Sequence, residues 1–200
     1  MKRTTQYKLR YAVTFVALAA VVVLILSLIG WTVPALIAAS VVLLIPGQVQ
    51  GHYYRDLFSG RRALEAGDID ASISHTEQFL AAVRERPGLK SLIWLGGVIY
   101  TADPEAMALN NLGAAHMEAG RLDAAESAFN DALRVDPLYP IPFTNLAVLS
   151  EVAGNRAEAE RYLREAEECG YTGGSIDRVI QQSGALLAKI EGVRSKPGAA

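Results

Sequence analysis

One uncharged segment constrains this chain more than any other feature. From Tyr11 to Gly51, about 41 consecutive residues include no Asp, Glu, Lys or Arg. As a helix, this segment would be roughly 60 Å long, which is enough for two crossings of a hydrocarbon layer of about 30 Å. A domain surrounded by water does not need such a segment, so the sequence predicts that this part lies in a membrane.

The segment divides near its middle, between Gly30 and Pro34. Glycine commonly ends a helix, and proline suits the first turn of the next one because its missing N–H would be unpaired there. We therefore predict a two-helix transmembrane hairpin over residues 11–51, with the first span the more apolar. Two alternatives stay open: a cleaved signal peptide, or a second segment that Pro46 and Gly47 make re-entrant or interfacial.

Basic residues flank the hairpin at both ends but are absent from its turn. They are Lys2, Arg3, Lys8 and Arg10 before it, and Arg55, Arg61 and Arg62 after it. Because basic flanks remain on the cytoplasmic side, we expect the N-terminus (1–10) and the region after residue 51 to be cytoplasmic. The membrane would then be the cell, or inner, membrane.

The region after the hairpin is acidic. It contains all 21 Asp and Glu residues, whereas four of the 19 Lys and Arg residues precede Tyr11. The resulting charge of about −6 argues against a nucleic-acid partner. The single cysteine, Cys169, excludes an intramolecular disulfide.

The segment Ala106–Pro137 has apolar and small residues at spacings of three and four, with breaks at Gly120 and Pro137. This pattern predicts two short amphipathic helices joined by a tight turn. The segment resembles a tetratricopeptide repeat, a helix–turn–helix unit of 34 residues. The residues that carry the resemblance are Leu112, Gly113, Ala125, Phe129, Ala132 and Pro137, with His116 in place of the usual tyrosine.

Two further copies accompany this unit. A shift of 34 residues gives Leu146, Ala147, Ala159, Leu163 and Ala166 at the same positions, and a looser copy precedes the unit. We therefore predict an all-α fold, with the hairpin followed by an α-solenoid of about three repeat-like helix pairs and a C-terminal capping helix. The predicted boundaries are 53–87, 106–139 and 140–172 for the units, 175–192 for the capping helix and 193–200 for a disordered tail, within a helical domain of 52–192.

An apolar insert, residues 89–101, does not fit the 34-residue phase. It contains Trp94, Ile99 and Tyr100, and it is too short to cross a bilayer. One interpretation is an extra helix or loop that completes the core between the first two units. The other is a surface that touches lipid or a membrane partner through those three residues.

The sequence contains no pattern typical of an active site. His52, His75 and His116 are scattered without cysteine or carboxylate residues at ligand spacing, and Cys169 has no evident activating base nearby in the sequence. We therefore predict no catalytic residues, no metal and no cofactor, and we identify no small-molecule substrate. An enzyme with a site in the insert is the least favoured function.

The resemblance implies a binding groove on the concave face, formed by the first helix of each unit. The positions expected to contact a partner are Tyr54, Leu57, Arg61, Met107, Asn110, Asn111, Ala114, Ile141, Asn145 and Val148. Some members of the family clamp a C-terminal carboxylate with basic residues, but the matching positions here, Ile141 and Asn145, are uncharged. Such a groove suits an apolar helix or an extended segment held by amide hydrogen bonds.

These patterns together predict a membrane-anchored scaffold that binds partner proteins at the cytoplasmic membrane surface. The hairpin would contact membrane lipid, and a peptide or helix of the partner would occupy the groove. The alternative is an accessory or assembly subunit of a larger integral membrane complex, in which the hairpin itself is a binding surface. Small residues at 35 and 38–40 would allow another helix to approach closely.

Overall fold

A computed structural model describes residues 3–95 and 100–194. Within these residues the fold is entirely helical, with nine α-helices and one 3-10 helix. The α-helices are α1 (Arg3–Ile29), α2 (Val33–Tyr53), α3 (Arg55–Glu65), α4 (Ile69–Glu85), α5 (Pro104–Glu118), α6 (Leu122–Val135), α7 (Pro140–Val152), α8 (Arg156–Glu168) and α9 (Ile176–Arg194). The 3-10 helix is Pro87–Leu95. The all-α fold class is thereby confirmed.

The two N-terminal helices form a hairpin that is exposed on most of its surface. Gly30 turns the chain with a φ of 90°, and the Thr32 hydroxyl accepts a hydrogen bond from the amide of Ala35 at the start of α2. Among the described residues, one helix, α2, is long and apolar enough to cross a bilayer, and α1 contains a shorter apolar stretch, Phe15–Leu28. The helix α2 continues through Pro46 to Tyr53, so Pro46 and Gly47 do not interrupt it as the sequence suggested.

No linker separates the hairpin from the helical domain. Tyr54 is the one residue between the last residue of α2 and the first residue of α3. The side-chain amide of Gln50, in the last turn of α2, donates a hydrogen bond to the carbonyl of Leu92 at 3.3 Å. The 3-10 helix also packs against α2. The end of α2 is therefore fixed to the domain by a second contact besides the chain itself.

Three helix pairs follow, α3–α4, α5–α6 and α7–α8, and each pair packs tightly within itself. Each turn between the paired helices contains a glycine with positive φ: Gly67 at 80°, Gly120 at 72° and Gly154 at 76°. Other residues rarely adopt this conformation. The same turn therefore recurs three times in the chain.

Close helix approach in the central pair depends on a small residue opposite a large one. Phe129 on α6 is completely buried, and a Cβ atom at position 113 on α5 would lie 2.5 Å from its ring. Real Cβ atoms essentially never come so close to a neighbour, so only glycine fits there unless the ring moves. The pairing of Gly113 with Phe129 explains why the sequence has these residue types at these positions.

The buried residues fall into two clusters. One joins α3, α4 and α5 with the 3-10 helix around Phe79 and Leu57. The other joins α6, α7, α8 and α9 around Phe129 and Leu146. The concave face, formed by α3, α5 and α7, runs past both clusters, and its two ends differ in what covers them.

Candidate functional site

The concave face contains a cavity of about 670 Å³ between α3, α5 and the start of α7. The last turn of α2 and the 3-10 helix complete its wall through Gln50 and Ile93. We call it the open cavity. Seven of the ten predicted groove residues line it: Tyr54, Leu57, Arg61, Met107, Asn110, Asn111 and Ile141.

The floor of the open cavity is rigid because its aromatic residue is bonded on two sides. Tyr54 is fully buried, its hydroxyl donates to the carbonyl of Leu89 at 2.8 Å, and its ring packs edge-on against Phe79. Burial raises the pKa of Tyr54, with the charge of Asp103 adding to the effect, so the hydroxyl remains a donor at neutral pH. Tyr54 thus holds the 3-10 helix against the start of α3.

An ionic cluster holds the 3-10 helix from its other side. The ammonium group of Lys90 lies 2.9 Å from a carboxylate oxygen of Asp103 and 2.8 Å from one of Glu105, and Arg84 also donates to Glu105 at 2.9 Å. Burial alone would raise the pKa of Glu105, but the hydrogen bonds from Lys90 and Arg84 outweigh it and the pKa is lowered. Burial alone would lower the pKa of Lys90, but the hydrogen bonds to Glu105 and Asp103 outweigh it and the pKa is raised.

Two polar groups that line the open cavity are placed as donors. Asn145 donates its side-chain amide to the Asn110 carbonyl oxygen at 3.0 Å, which leaves the Asn110 NH₂ group as a donor. Tyr139, the residue before α7, lines the cavity and is 6% exposed. Burial raises the pKa of Tyr139, although the nearby Arg61 cation opposes this, so its hydroxyl is protonated at neutral pH.

The other end of the concave face is covered by α9. Val179 and Leu186 of α9 are buried in the same cluster as Val148 of α7. Asn145 and Val148 line a smaller cavity of about 280 Å³ whose opposite wall is α9. We call this region, Asn145 and Val148 with the overlying helix, the covered face.

The helix α9 does not take the place that a further repeat would occupy. Between neighbouring units, α5 packs more on α4 than on α3, and α7 packs more on α6 than on α5, so the main partner in the preceding unit is its second helix in each case. In contrast, α9 packs mainly on α7 and only lightly on α8. Its last turns reach the second unit, where Lys189 forms an ion pair with Glu118 and Ile190 lies against Gly120.

The tetratricopeptide repeat family model matches residues 106–139, which contain α5, the turn at Gly120 and α6. Residues 106–139 are therefore a tetratricopeptide repeat. Tetratricopeptide repeats serve as protein-interaction scaffolds, and the matched segment supplies four residues to the open cavity: Met107, Asn110, Asn111 and Tyr139.

The ten predicted groove residues are therefore not all in one site. Seven lie in the open cavity, and Asn145 and Val148 lie on the covered face. Ala114 is half-buried and lines neither cavity. Val148 is only 3% exposed, so the helix α9 would have to move before a partner could contact it.

The apolar insert is divided as well. Ile93 is a member of the first core cluster, and Trp94 packs partly buried against it. Tyr100 lines the open cavity and packs against the ring of Tyr171, with 5.9 Å between the ring centres. Ile99 lies outside the described residues.

Tyr139, Gln50 and Ile93 were not among the predicted groove residues. The signal for Tyr139 is its place directly before Pro140: a proline in the first turn fixes where α7 begins, so the preceding residue lies at the end of the groove. No comparable pattern marks Gln50 or Ile93, because each reaches the cavity through the packing of the 3-10 helix on α2.

The histidines are dispersed in the structure. His75 bonds to Asp56 at 3.1 Å, and Arg121 donates to the ring of His116 at 3.1 Å. Burial lowers the pKa of His116, and the Arg121 charge adds to this. Over residues 3–95 and 100–194, no group of three His, Cys, Asp or Glu residues could hold a metal ion. The geometry of the described residues favours binding through a recessed surface.

Proposed function

We propose that this tetratricopeptide repeat protein is a membrane-anchored scaffold that binds a partner protein in the open cavity at the cytoplasmic membrane surface. The observation that carries the proposal is the open cavity itself. It is lined by apolar side chains together with the amides of Asn110 and Asn111, a combination that suits a protein segment with both apolar side chains and hydrogen-bonding groups.

The anchoring part of the proposal is supported by the hairpin. The helix α2 has no buried residue along its described length and is apolar enough to span a bilayer. An exposed apolar helix of this length is unfavourable in water but stable in lipid. Such an anchor confines the cavity to a thin layer and raises its effective concentration for membrane partners.

Carbonate washing of isolated membranes tests the anchor. We expect the full chain to remain in the pellet after washing and to be released only by detergent. Release by carbonate alone would contradict integral anchoring while leaving the repeat scaffold itself in place.

Orientation is tested at Cys169, the single cysteine of the chain, which is partly exposed. We expect a membrane-impermeant thiol reagent to label it only after the cells are permeabilised. Labelling from outside intact cells would place the repeats on the opposite side of the membrane. A Cys169→Ser variant is the control for unspecific labelling.

The second candidate function, an accessory subunit of a larger membrane complex, is favoured by the same exposed hairpin. Val22 and Leu26 are the described α1 side chains that are buried, so most of both helices could contact other spanning helices. Gentle detergent extraction followed by size-exclusion chromatography separates the two functions. A stoichiometric complex held through the hairpin favours the subunit, and a monomer that binds its partner through the cavity favours the scaffold.

A further inference from the structure

We propose that the open cavity binds an extended, carbonyl-rich segment of another membrane protein, taken from the stretch directly next to one of its transmembrane helices. This inference rests on the proposed function, because it requires α2 to lie in the bilayer. It goes further by giving the chemistry of the occupant and the place on the partner from which it comes.

The first argument is the hydroxyl group of Tyr139. Its side chain lines the cavity and is 6% exposed, yet the hydroxyl makes no hydrogen bond to any residue that the structure describes. The hydroxyl oxygen is not among the fully buried polar atoms without a partner, so it faces the open space of the cavity. An occupant that displaces water from this place has to supply an acceptor of its own. The group is therefore placed to donate to an acceptor that enters the cavity.

The second argument is that the lining offers donors to an occupant. The NH₂ group of Asn110 is a donor, and Arg61 has further N–H groups besides the Nε that donates to Glu65 at 2.9 Å. No acidic residue lies among the described residues that line the cavity. Backbone carbonyls supply acceptors in an extended segment, whereas the carbonyls in the body of a helix are already bonded within it. The lining thus favours an extended segment over the side of a helix.

The third argument concerns the apolar part of the cavity. Ile93, Met107 and Ile141 approach it from the 3-10 helix, α5 and α7 respectively. The volume of about 670 Å³ lies within the usual range for ligand pockets, about 300–1,000 Å³. This space would take one or two apolar side chains of the occupant while its carbonyls face Tyr139 and Asn110.

The fourth argument is the position of the cavity relative to the apolar helix. Gln50, in the last turn of α2, is part of its lining, and α3 begins without a linker after Tyr54. With α2 in the bilayer, the cavity lies at the membrane surface and cannot move away from it on a flexible tether. The segment of a partner that is found at this level is the one that leaves its transmembrane helix.

Photo-crosslinking in native membranes tests the inference in the full chain. The photoreactive residue p-benzoylphenylalanine would replace Phe58, which lines the cavity and is 40% exposed. Ile180 on α9 is 38% exposed and lies outside the cavity, so the same replacement there is the matched control. We expect adducts from position 58 that map next to a transmembrane helix of another protein, and few from position 180.

The other outcomes each overturn a different statement. Adducts from position 58 to a protein without a membrane span would overturn the inference but leave a scaffold function in place. Adducts to lipid alone would also overturn it and would identify the cavity as a lipid site. Equal or absent adduct formation at positions 58 and 180 would overturn both the inference and the proposed function.

A Tyr139→Phe variant supplies the second measurement. It removes the hydroxyl but keeps the ring, so we expect the adduct yield from position 58 to fall by about fivefold to tenfold with no loss of thermal stability. A Tyr162→Phe variant on α8 is the control, and its yield should match that of the parent. If Tyr139→Phe leaves the yield unchanged, the hydroxyl does not bind the occupant and the inference is wrong. A lower yield accompanied by lost stability would also contradict it, because Tyr139 would then act through the fold.

Discussion

The open cavity and the covered face belong to the same concave surface but are held together differently. At the open end, a buried tyrosine and an ionic cluster fix the 3-10 helix to α3 and α5. At the covered end, apolar side chains of α9 close the surface over Val148. The comparison teaches that a regular repeat array can present one end of its groove and use its own chain to fill the other.

The largest effect on stability is expected on the buried side of α9, and the exposed side of the same helix is the comparison. Leu186 is 6% exposed and its neighbour Leu187 is 40% exposed. We expect Leu186→Ala to lower the free energy of unfolding by about 2–4 kcal/mol because it leaves a hole against α7. Leu187→Ala should change it by less than about 0.5 kcal/mol. Urea unfolding of the detergent-solubilised chain, followed by circular dichroism, measures both. Equal losses would show that α9 is not packed on the covered face as described.

The ionic cluster that holds the 3-10 helix should contribute less to stability, and its contribution should depend on pH. We expect Glu105→Gln to lower the free energy of unfolding by about 1 kcal/mol at pH 7, because charged hydrogen bonds to Lys90 and Arg84 are lost. The folded pKa of Glu105 is below the reference value of 4.5. Its contribution is therefore present above that pH and is lost as the pH falls through the folded pKa.

Unfolding measured from pH 7 downward checks this sign. The difference between parent and Glu105→Gln should close below pH 4.5. A difference that widens on acidification would mean that burial of Glu105 outweighs its hydrogen bonds. Glu85→Gln is the control, because Glu85 is 72% exposed and its ion-pair partner among the described residues is the adjacent Arg86.

The hydrogen bond between Asn110 and Asn145 lies where the two regions meet. We expect Asn145→Ala to lower the free energy of unfolding by about 1 kcal/mol, because the Asn110 carbonyl oxygen loses its donor in a nearly buried position. Asn111→Ala should have little effect on unfolding, since the structure gives the Asn111 side chain no hydrogen bond among the described residues. Thermal melts of the two variants would distinguish them, and a larger loss for Asn111→Ala would contradict the geometry.

The smallest effect is expected for the ion pair that joins α9 to the second unit. Lys189 and Glu118 are 47% and 41% exposed, and exposed pairs typically contribute about 0–1 kcal/mol. We expect Lys189→Gln to change the free energy of unfolding by less than about 0.5 kcal/mol at physiological salt. A change as large as that of Leu186→Ala would show that charge, and not apolar contact, holds the covered face closed.

Much of the repeat array could be predicted from the sequence because local patterns specify it. The pairing of Gly113 with Phe129 follows from the family spacing, and the helix packing gives the reason: there is no room for a Cβ atom at position 113. The cap at Ser175, which accepts from the amide of Arg178, also follows from residue type. The anchor, its orientation and the groove as a partner site stay predictions.

The covered face could not be predicted in the same way. Counting positions in units of 34 residues places Asn145 and Val148 on the concave side, as it does Asn111 and Ala114. Such counting gives no information on the path of the chain after Gly170. The return of α9 across α7 depends on packing between segments that are distant in sequence. Ile93 entered the open cavity for the same reason.

The sequence by itself determined that this chain is a set of short paired helices preceded by a long uncharged segment. Helix spacing, turn glycines and the absence of charge are local properties, and each acts over a few residues. Only the tertiary structure decided which part of the concave surface is open. That choice depends on how well the apolar sides of α9 and of the 3-10 helix pack against the helices beside them. The energy of such packing depends on residues that are far apart in the chain.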